Sequence, residues 1–154
     1  MLSQTEIQEI EHEIKLVPYK KAALIESLKI VQKHRGWISN ESVEEIADHL
    51  GISSAEVDSV ATFYNLIFRK PVGRHVILLC DSISCYVMGH QRIYKALHEK
   101  LGIKYGETTT DKRFTLLPNA CLGCCDHAPA LMIGEQLYRD VTIEQLDSII
   151  EKYV

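Results

Sequence analysis

The sequence predicts an α/β (α+β) protein in which an N-terminal helical bundle, residues 1–70, precedes a second domain, residues 71–154, with a small mixed sheet. From Ser3 to about Thr62 the apolar residues recur mostly three or four positions apart, as on one face of a helix. A turn rich in Pro and Gly at residues 70–73 is then followed by a β-branched, apolar run that begins at His75. The change in periodicity places the domain boundary at this turn.

Capping residues and helix breakers divide the N-terminal segment into about four helices. Ser3 with Glu6 forms one predicted capping box, and Ser53 with Glu56 forms another, which opens a helix running to residues 63–64. The other boundaries fall at residues that interrupt or end helices, namely Pro18, Gly36 and Gly51.

The second domain reads as β-α-β followed by β-β-α. Strands are predicted at residues 75–80, 114–117, 130–133 and 136–138, with a hairpin turn at Gly134 and Glu135. A helix is predicted from Tyr86 to about residue 101, with Gly102 as its end, and Thr142 with Gln145 is predicted to cap a final helix. This order is the thioredoxin-like topology.

Composition and charge exclude several classes of function. Hydrophobic residues make up 46% of the chain and charged residues 25%, as in folded, soluble proteins. The net charge is −4 and no basic stripe is present, so nucleic acid is not an expected partner. No apolar run approaches the roughly 20 residues that span a bilayer, so we expect no direct membrane insertion. The acidic N-terminus resembles neither a secretory signal nor a transit peptide, which predicts a cytoplasmic protein or one that has already been processed.

The five cysteines all lie in the second half of the chain, in two short groups. They are Cys80 and Cys85, then Cys121, Cys124 and Cys125. An odd number without a secretory signal argues against a disulfide framework and favours metal or redox chemistry.

Both cysteine groups are predicted to follow strands. Cys80 closes a strand and Cys85 opens a helix, while Cys121 and Cys125 fall in a loop just after another strand. Sites in open α/β sheets tend to lie at the carboxyl ends of strands, so both loops can approach the same sheet edge. Four thiolates meeting there would suit a [2Fe-2S] cluster.

Three other interpretations of the cysteines stay open at this point. Free buried thiols do not explain the clustering of four or five cysteines in two loops. A four-cysteine zinc site fits the ligand type, although the first pair has the longest spacing usual for zinc. The segment from Cys121 to Cys124 is a C-x-x-C that could act as a redox dithiol, but it does not lie at the end of the first strand, where such a motif is expected.

Other chemistry-bearing residues give weaker signals. His127 lies near the second cysteine loop, but a Rieske-like centre needs two histidines, so we expect an exposed loop histidine. Phe63, Tyr64 and Phe68 could form a docking surface or pack in the core. Neither a G-x-G-x-x-G nor a P-loop occurs, and no catalytic residues are predicted.

Residues 80–85 and 121–129, Cys-Asp-Ser-Ile-Ser-Cys and Cys-Leu-Gly-Cys-Cys-Asp-His-Ala-Pro, resemble a known family. It is the thioredoxin-like [2Fe-2S] ferredoxin family, in the branch that supplies the thioredoxin-like subunit of respiratory complex I, the NADH:quinone oxidoreductase. Residues 60–64, Val-Ala-Thr-Phe-Tyr, and the helical N-terminal module are similar too, so the resemblance spans nearly the whole chain.

The resemblance implies one [2Fe-2S] cluster bound by Cys80, Cys85, Cys121 and Cys125. The family more often has a small residue such as alanine where this chain has Cys124, and spacing alone does not decide between Cys124 and Cys125.

The resemblance also implies an electron carrier without its own substrate site. Its partners would be a flavin- and NADH-binding subunit and other iron-sulfur subunits, and the NADH dehydrogenase (quinone) activity would belong to the assembly. The chain would lie peripheral to the inner membrane through those partners. Equivalent subunits of NAD-linked hydrogenases and formate dehydrogenases are alternatives, as is a thioredoxin-like thiol redox protein.

Overall fold

The computed structural model describes residues 1–154 and contains two compact units, Met1–Pro71 and Val72–Val154. The first unit is entirely helical, and the second combines helices with a four-stranded sheet.

Four α-helices make up the first unit, as the apolar periodicity predicts. A single 3₁₀ turn, Lys20–Ala23, lies between the first two. The helices are Gln4–Leu16 (α1), Leu24–Arg35 (α2), Asn40–Leu50 (α3) and Ser54–Phe63 (α4).

The predicted helix boundaries of the first unit are confirmed. The Ser3–Glu6 and Ser53–Glu56 capping boxes both form, each with a serine side chain accepting from a backbone N–H and a glutamate accepting in return. α1 ends at Leu16, shortly before Pro18, and Gly36 and Gly51 end α2 and α3 in the left-handed conformation.

The first unit combines an apolar core with one buried charged group. Glu6 is only 2% exposed, and its carboxylate accepts from Arg35 Nε at 2.7 Å. Arg35 also donates to Glu45 at 2.8 Å. The hydrogen bond from Arg35 is the main cause that lowers the pKa of Glu6 to about 2. The apolar core of the unit includes Ile10, Leu28, Val31, Ile38 and Ile46.

The sheet of the second unit has the predicted β-α-β and β-β-α order. Its strand order is β2-β1-β3-β4; β1 and β2 are parallel, and β3 is antiparallel to both β1 and β4. The strands are His75–Cys80 (β1), Phe114–Asn119 (β2), Leu131–Ile133 (β3) and Gln136–Tyr138 (β4).

Two strand boundaries differ from the prediction. β2 continues two residues past Leu117 because it is an edge strand, where Pro118 removes no bond from the ladder. β3 begins at Leu131 rather than Ala130, although the Ala130 carbonyl still accepts from the Cys80 N–H at 3.1 Å.

The predicted helix after β1 is two helices. Ile83–Met88 (α5) and His90–Leu101 (α6) are separated by Gly89, whose φ of +116° ends the first of them. Glycine adopts this conformation without strain, and the break changes the direction of the chain. The sequence prediction of one continuous helix is therefore wrong at this point.

The final helix is present, but its predicted capping box is only half formed. Gln145–Ile150 (α7) starts at Gln145, and the Thr142 N–H donates to the Gln145 side chain at 3.1 Å. The Thr142 side chain makes no cap. Apolar residues of α6, α7 and the sheet form the core of this unit, including Ile77, Leu79, Leu97, Phe114, Leu116, Leu131 and Leu146.

No helix of the chain is both long enough and apolar enough to cross a lipid bilayer.

Candidate metal centre

The parallel pairing of β1 and β2 brings the two cysteine loops to one edge of the sheet. The register pairs Cys80, the last residue of β1, with Asn119, the last residue of β2. The chain leaves β1 toward Cys85 and leaves β2 toward Cys121, in both cases at the carboxyl end of the strand. The predicted approach of the two loops is confirmed.

Cys80 is held by hydrogen bonds from three parts of the fold. Its N–H donates to Ala130 O at 3.1 Å, and the next N–H, of Asp81, donates to Asn119 O at 3.0 Å. Its carbonyl accepts from Nδ1 of His90 at 2.9 Å. Because both adjoining peptide groups are bonded, the backbone of Cys80 is held in place.

His90 is a residue beside the candidate site that the sequence did not single out. It is 4% exposed, and its ring lies parallel to that of Tyr94 and near that of Tyr105. In the sequence it is one of seven scattered histidines, ten positions from Cys80. Only the break at Gly89 indicates that a new helix starts there, and nothing local indicates which carbonyl the ring will meet.

Cys85 lies on the inner side of α5, in contact with Cys80. Both residues are 2% exposed. Burial, followed by the hydrogen bond with Cys80, raises the pKa of the Cys85 thiol to about 11. A positively charged metal centre would reverse this effect, because it stabilises the thiolate form.

Cys121 and Cys125 form a second, exposed pair. Their sulfur atoms lie 3.6 Å apart, and the Gly123 N–H donates to the Cys121 sulfur at 3.3 Å. That bond is the main cause that lowers the pKa of Cys121, whereas the contact with Cys121 raises the pKa of Cys125. Gly123 has a φ of +78°, so the turn that aims its N–H at sulfur favours glycine.

Cys124 points away from this exposed pair. It is 6% exposed and packs among the buried residues Cys80, Cys85, Ala128 and Ala130. The adjacent thiols of Cys124 and Cys125 therefore face different surroundings, which the spacing of the cysteines could not reveal.

His127 is an exposed loop histidine, as expected. Its Nδ1 lies 2.8 Å from a carboxylate oxygen of Asp140, and 46% of its side chain is exposed. The peptide bond between Ala128 and Pro129 nearby is cis.

The donor chemistry of this edge suits an iron-sulfur cluster. Four of the five thiols lie as one buried pair and one exposed pair, and the fifth, Cys124, is buried beside the first pair. No group of three or more His, Cys, Asp or Glu side chains could hold a single metal ion as they lie. A [2Fe-2S] cluster requires a different arrangement of ligands, because each of its two irons takes two protein ligands. Cys80, Cys85, Cys121 and Cys125 are residues that could hold such a group.

An exposed apolar surface borders these thiols. On α5, which carries Cys85 inward, Ile83 and Val87 are each 72% exposed, and Tyr86 and Met88 are also exposed. Exposed apolar clusters of this kind often mark protein contacts.

The parallel β1–β2 pair, the following hairpin and the thiols at one sheet edge define a thioredoxin-like protein of the iron-sulfur class. The chain belongs to the thioredoxin-like [2Fe-2S] ferredoxin family, whose model matches residues 10–154. The cofactor of this family is the [2Fe-2S] cluster that the cysteine pattern predicts.

Relatives and solved structures agree with this membership. The chain is 51% identical over 152 residues to a subunit of the NADH-quinone oxidoreductase of Escherichia coli K12, a match that covers 99% of this chain and 92% of that protein. It is 49% identical over 154 residues to the protein of the same name from Pseudomonas aeruginosa, covering 100% and 93% of the two chains. An NAD⁺-reducing [NiFe]-hydrogenase in the H₂-reduced state superposes with a TM-score of 0.70 at 25% identity over 82% of this chain. That match spans only 22% of the hydrogenase chain.

Proposed function

We propose that this chain is an electron-transfer subunit of an NADH:quinone oxidoreductase and binds one [2Fe-2S] cluster through Cys80, Cys85, Cys121 and Cys125. The proposal rests on the two pairs of thiols that lie at one edge of the sheet. It is supported by the identity of about 50% to complex I subunits over the full length of the chain. When bound, the cluster supplies a site that gains and loses one electron.

The residues around the proposed ligands affect the position of Cys80 and the charge on the Cys121 sulfur. The backbone bonds hold Cys80 of the buried pair in place, and the Gly123 N–H stabilises negative charge on the Cys121 sulfur. Hydrogen bonds to ligand sulfur raise the reduction potential of a cluster. We assign the fourth ligand to Cys125 rather than Cys124, because the Cys125 sulfur is the one that lies beside Cys121.

The same contact argues against the dithiol alternative. A redox-active Cys121–Cys124 pair needs its two sulfurs within bonding reach of each other. Here the close neighbour of the exposed Cys121 is Cys125, while Cys124 is buried beside the other pair.

The chain acts within a larger assembly, and its partners are a flavin- and NADH-binding subunit and other iron-sulfur subunits. The exposed apolar side of α5 supports a protein contact close to the cluster, and the exposed Phe63 and Tyr64 of the first unit support a second one. We propose that residues 1–70 and 71–154 act as separate modules, for docking and for the cluster. Through these partners the chain would be peripheral to the inner membrane, on its cytoplasmic side.

The second candidate is the equivalent subunit of an NAD-linked hydrogenase. The superposition on the NAD⁺-reducing [NiFe]-hydrogenase favours it. The identity to that protein is half of the identity to the complex I subunits, and it covers less of this chain. We therefore place the complex I assignment first.

The test begins with anaerobically purified full-length chain, by visible absorption, low-temperature EPR, and iron and sulfide analysis. Two irons and two sulfides per chain, with one unpaired spin after dithionite reduction, are expected. NADH alone should leave the cluster oxidised, because the chain has no nucleotide-binding motif. In the purified assembly NADH should reduce the same cluster.

The result is decisive in each direction. A colourless chain that holds zinc, or no metal after reconstitution with iron and sulfide, contradicts the cluster assignment. An assembly that reduces NAD⁺ with H₂ but does not reduce quinone with NADH favours the hydrogenase candidate.

A further inference from the structure

Tyr105 lies beside the second ring nitrogen of His90. Its hydroxyl oxygen is 3.4 Å from Nε2 of His90, while Nδ1 of the same ring lies 2.9 Å from the carbonyl oxygen of Cys80. The His90 ring therefore joins a tyrosine hydroxyl to the main chain of a proposed cluster ligand. Neither the cysteine motifs nor the proposed ligand set gives this tyrosine a role.

The partners of His90 decide which of its ring nitrogens carries the proton. A carbonyl oxygen only accepts hydrogen bonds, so Nδ1 is the donor in the bond to Cys80. In the neutral ring Nε2 is then an acceptor, and a hydroxyl supplies the donor that it needs. Burial, followed by the charge of Asp81, raises the pKa of the Tyr105 phenol, so this donor keeps its proton. The three groups form a chain of hydrogen bonds that runs from Tyr105 through His90 to Cys80.

Ring packing and main-chain bonds hold the tyrosine beside the histidine. His90 is 4% exposed, and Tyr94, one turn further along α6, lies parallel to it with 6.4 Å between the ring centres. The ring of Tyr94 also stacks on that of Tyr105 at 4.5 Å. The turn that carries Tyr105 is tied to β2, since the Gly106 N–H donates to Leu116 O at 2.8 Å. Both α6 and β2 therefore help to keep the hydroxyl near Nε2.

We propose that Tyr105 is a positioning residue for the cluster, which acts through His90 on the peptide group of Cys80. The inference rests on the proposed function, because a reduction potential presupposes the cluster. A donor at the Cys80 carbonyl offsets the negative end of that dipole, which favours the extra electron of the reduced form. The bond from Tyr105 to Nε2 strengthens the bond that Nδ1 donates, because hydrogen bonds in a chain polarise each other. Tyr105 thereby raises the reduction potential.

Two phenylalanine variants of the full-length chain test the proposal, Tyr105→Phe and Tyr94→Phe. Each removes a hydroxyl and keeps a ring of the same shape, but Tyr105 meets His90 through its hydroxyl and Tyr94 meets it through the face of its ring. Tyr105→Phe should lower the reduction potential in an EPR-monitored redox titration and should keep two irons and two sulfides. Tyr94→Phe should leave the potential unchanged.

A double substitution separates positioning from a general loss of packing. If Tyr105 acts through His90, adding Tyr105→Phe to His90→Ala should not lower the potential further, because the ring that connects the two ends is absent. An effect of loosened packing would instead add to the effect of His90→Ala. The single variant Tyr105→Phe tests the proposal even where the double variant does not fold.

Each contrary result overturns the proposal. An unchanged potential in Tyr105→Phe shows that the hydroxyl has no influence on the cluster. Equal shifts in the two phenylalanine variants, or additive shifts in the double variant, show that ring packing rather than the hydrogen bond to His90 is responsible. Failure of the proposed function is separate, because the unaltered chain would then hold no cluster whose potential could be measured.

Discussion

The two units of this chain satisfy their buried polar groups by opposite means. In Met1–Pro71 the buried carboxylate of Glu6 is matched inside the unit by Arg35, which also bonds Glu45. In Val72–Val154 the buried thiols of Cys80 and Cys85 have only each other and a third thiol nearby, and burial raises the pKa of Cys85 to about 11. The helical unit pairs its buried charge within its own fold, whereas the thiols at the sheet edge of the second unit would find their partner in the proposed [2Fe-2S] cluster.

Because of this difference, we expect the stabilities of the two units to respond differently to removal of the metal. A buried charge that is paired with an opposite charge stabilises the fold by itself, at neutral pH. Buried thiols stay protonated until a cation stabilises their thiolate form, and bonds from that cation to sulfur would then join the two cysteine loops. The stability of the helical unit should therefore not change when the metal is removed, whereas the stability of the cysteine loops should fall.

Removal of iron should have the largest effect. After treatment of the full-length chain with a chelator and a reductant, we expect amide hydrogen exchange to speed up by roughly a hundredfold in residues 81–90 and 119–130, because the cluster joins these loops. The measurement is exchange followed by mass spectrometry, with and without iron.

The helical unit is the internal control for this experiment. Peptides around the buried Leu28 and Val31 should exchange at the same rate in both forms. Equal acceleration in both units would mean that they unfold together, and no acceleration in the cysteine loops would mean that their backbone bonds alone hold them.

Loss of the buried carboxylate should have the next largest effect. Glu6→Gln keeps the capping geometry but removes the charge, and the depressed pKa predicts a loss of up to about 3 kcal/mol of folding free energy at pH 7. The contribution is present above the ordinary value of 4.5 and is lost as the pH falls from there toward about 2. Urea unfolding followed by the fluorescence of Trp37, the single tryptophan, reports on this unit.

Glu26→Gln provides the matched comparison. Glu26 is an exposed glutamate that pairs with Lys29 at 2.8 Å on the surface of α2, so its loss should change stability by less than about 1 kcal/mol. Equal effects from the two substitutions, or an effect of Glu6→Gln that persists unchanged at pH 2, would contradict the role given to Glu6. The visible absorption of the cluster should be unchanged in both variants.

His90→Ala should lower the stability of the second unit and should also change the reduction potential of the cluster. It leaves the Cys80 carbonyl without its donor, at a cost of about 1–3 kcal/mol to the second unit. Losing an N–H dipole near the cluster makes the local potential more negative, so the reduction potential should fall. An EPR-monitored redox titration measures it.

His98→Ala tests whether this effect is local. His98 lies on the same helix and its Nδ1 also meets a backbone carbonyl, that of Ile103, at 3.0 Å. It should lose comparable stability without a change in potential. A shift of the same size in both variants would indicate a general loosening of α6 rather than positioning of Cys80.

Local patterns in the sequence determined most of the elements. The capping boxes at Ser3 and Ser53 and the left-handed ends at Gly36 and Gly51 act through hydrogen bonds within a few residues, so the sequence alone predicts them. The placement of both cysteine groups after strands was predictable for the same reason. One error was local, at Gly89, where a left-handed glycine breaks the predicted helix. Another fell where long-range pairing decides, at the end of β2, where Pro118 is tolerated because the strand lies at an edge.

The periodicity of the sequence by itself therefore predicted the helical and mixed units, and the resemblance of its cysteine motifs to a known family implied the type of cofactor. Only the tertiary structure decided that Cys125 faces Cys121 while Cys124 is buried, and that His90 bonds the Cys80 carbonyl. Adjacent side chains point in directions set by the backbone angles of a loop, and a histidine finds its carbonyl through the packing of a helix on a sheet. Neither the directions of the Cys124 and Cys125 side chains nor the partner of the His90 ring can be predicted from the few residues around them.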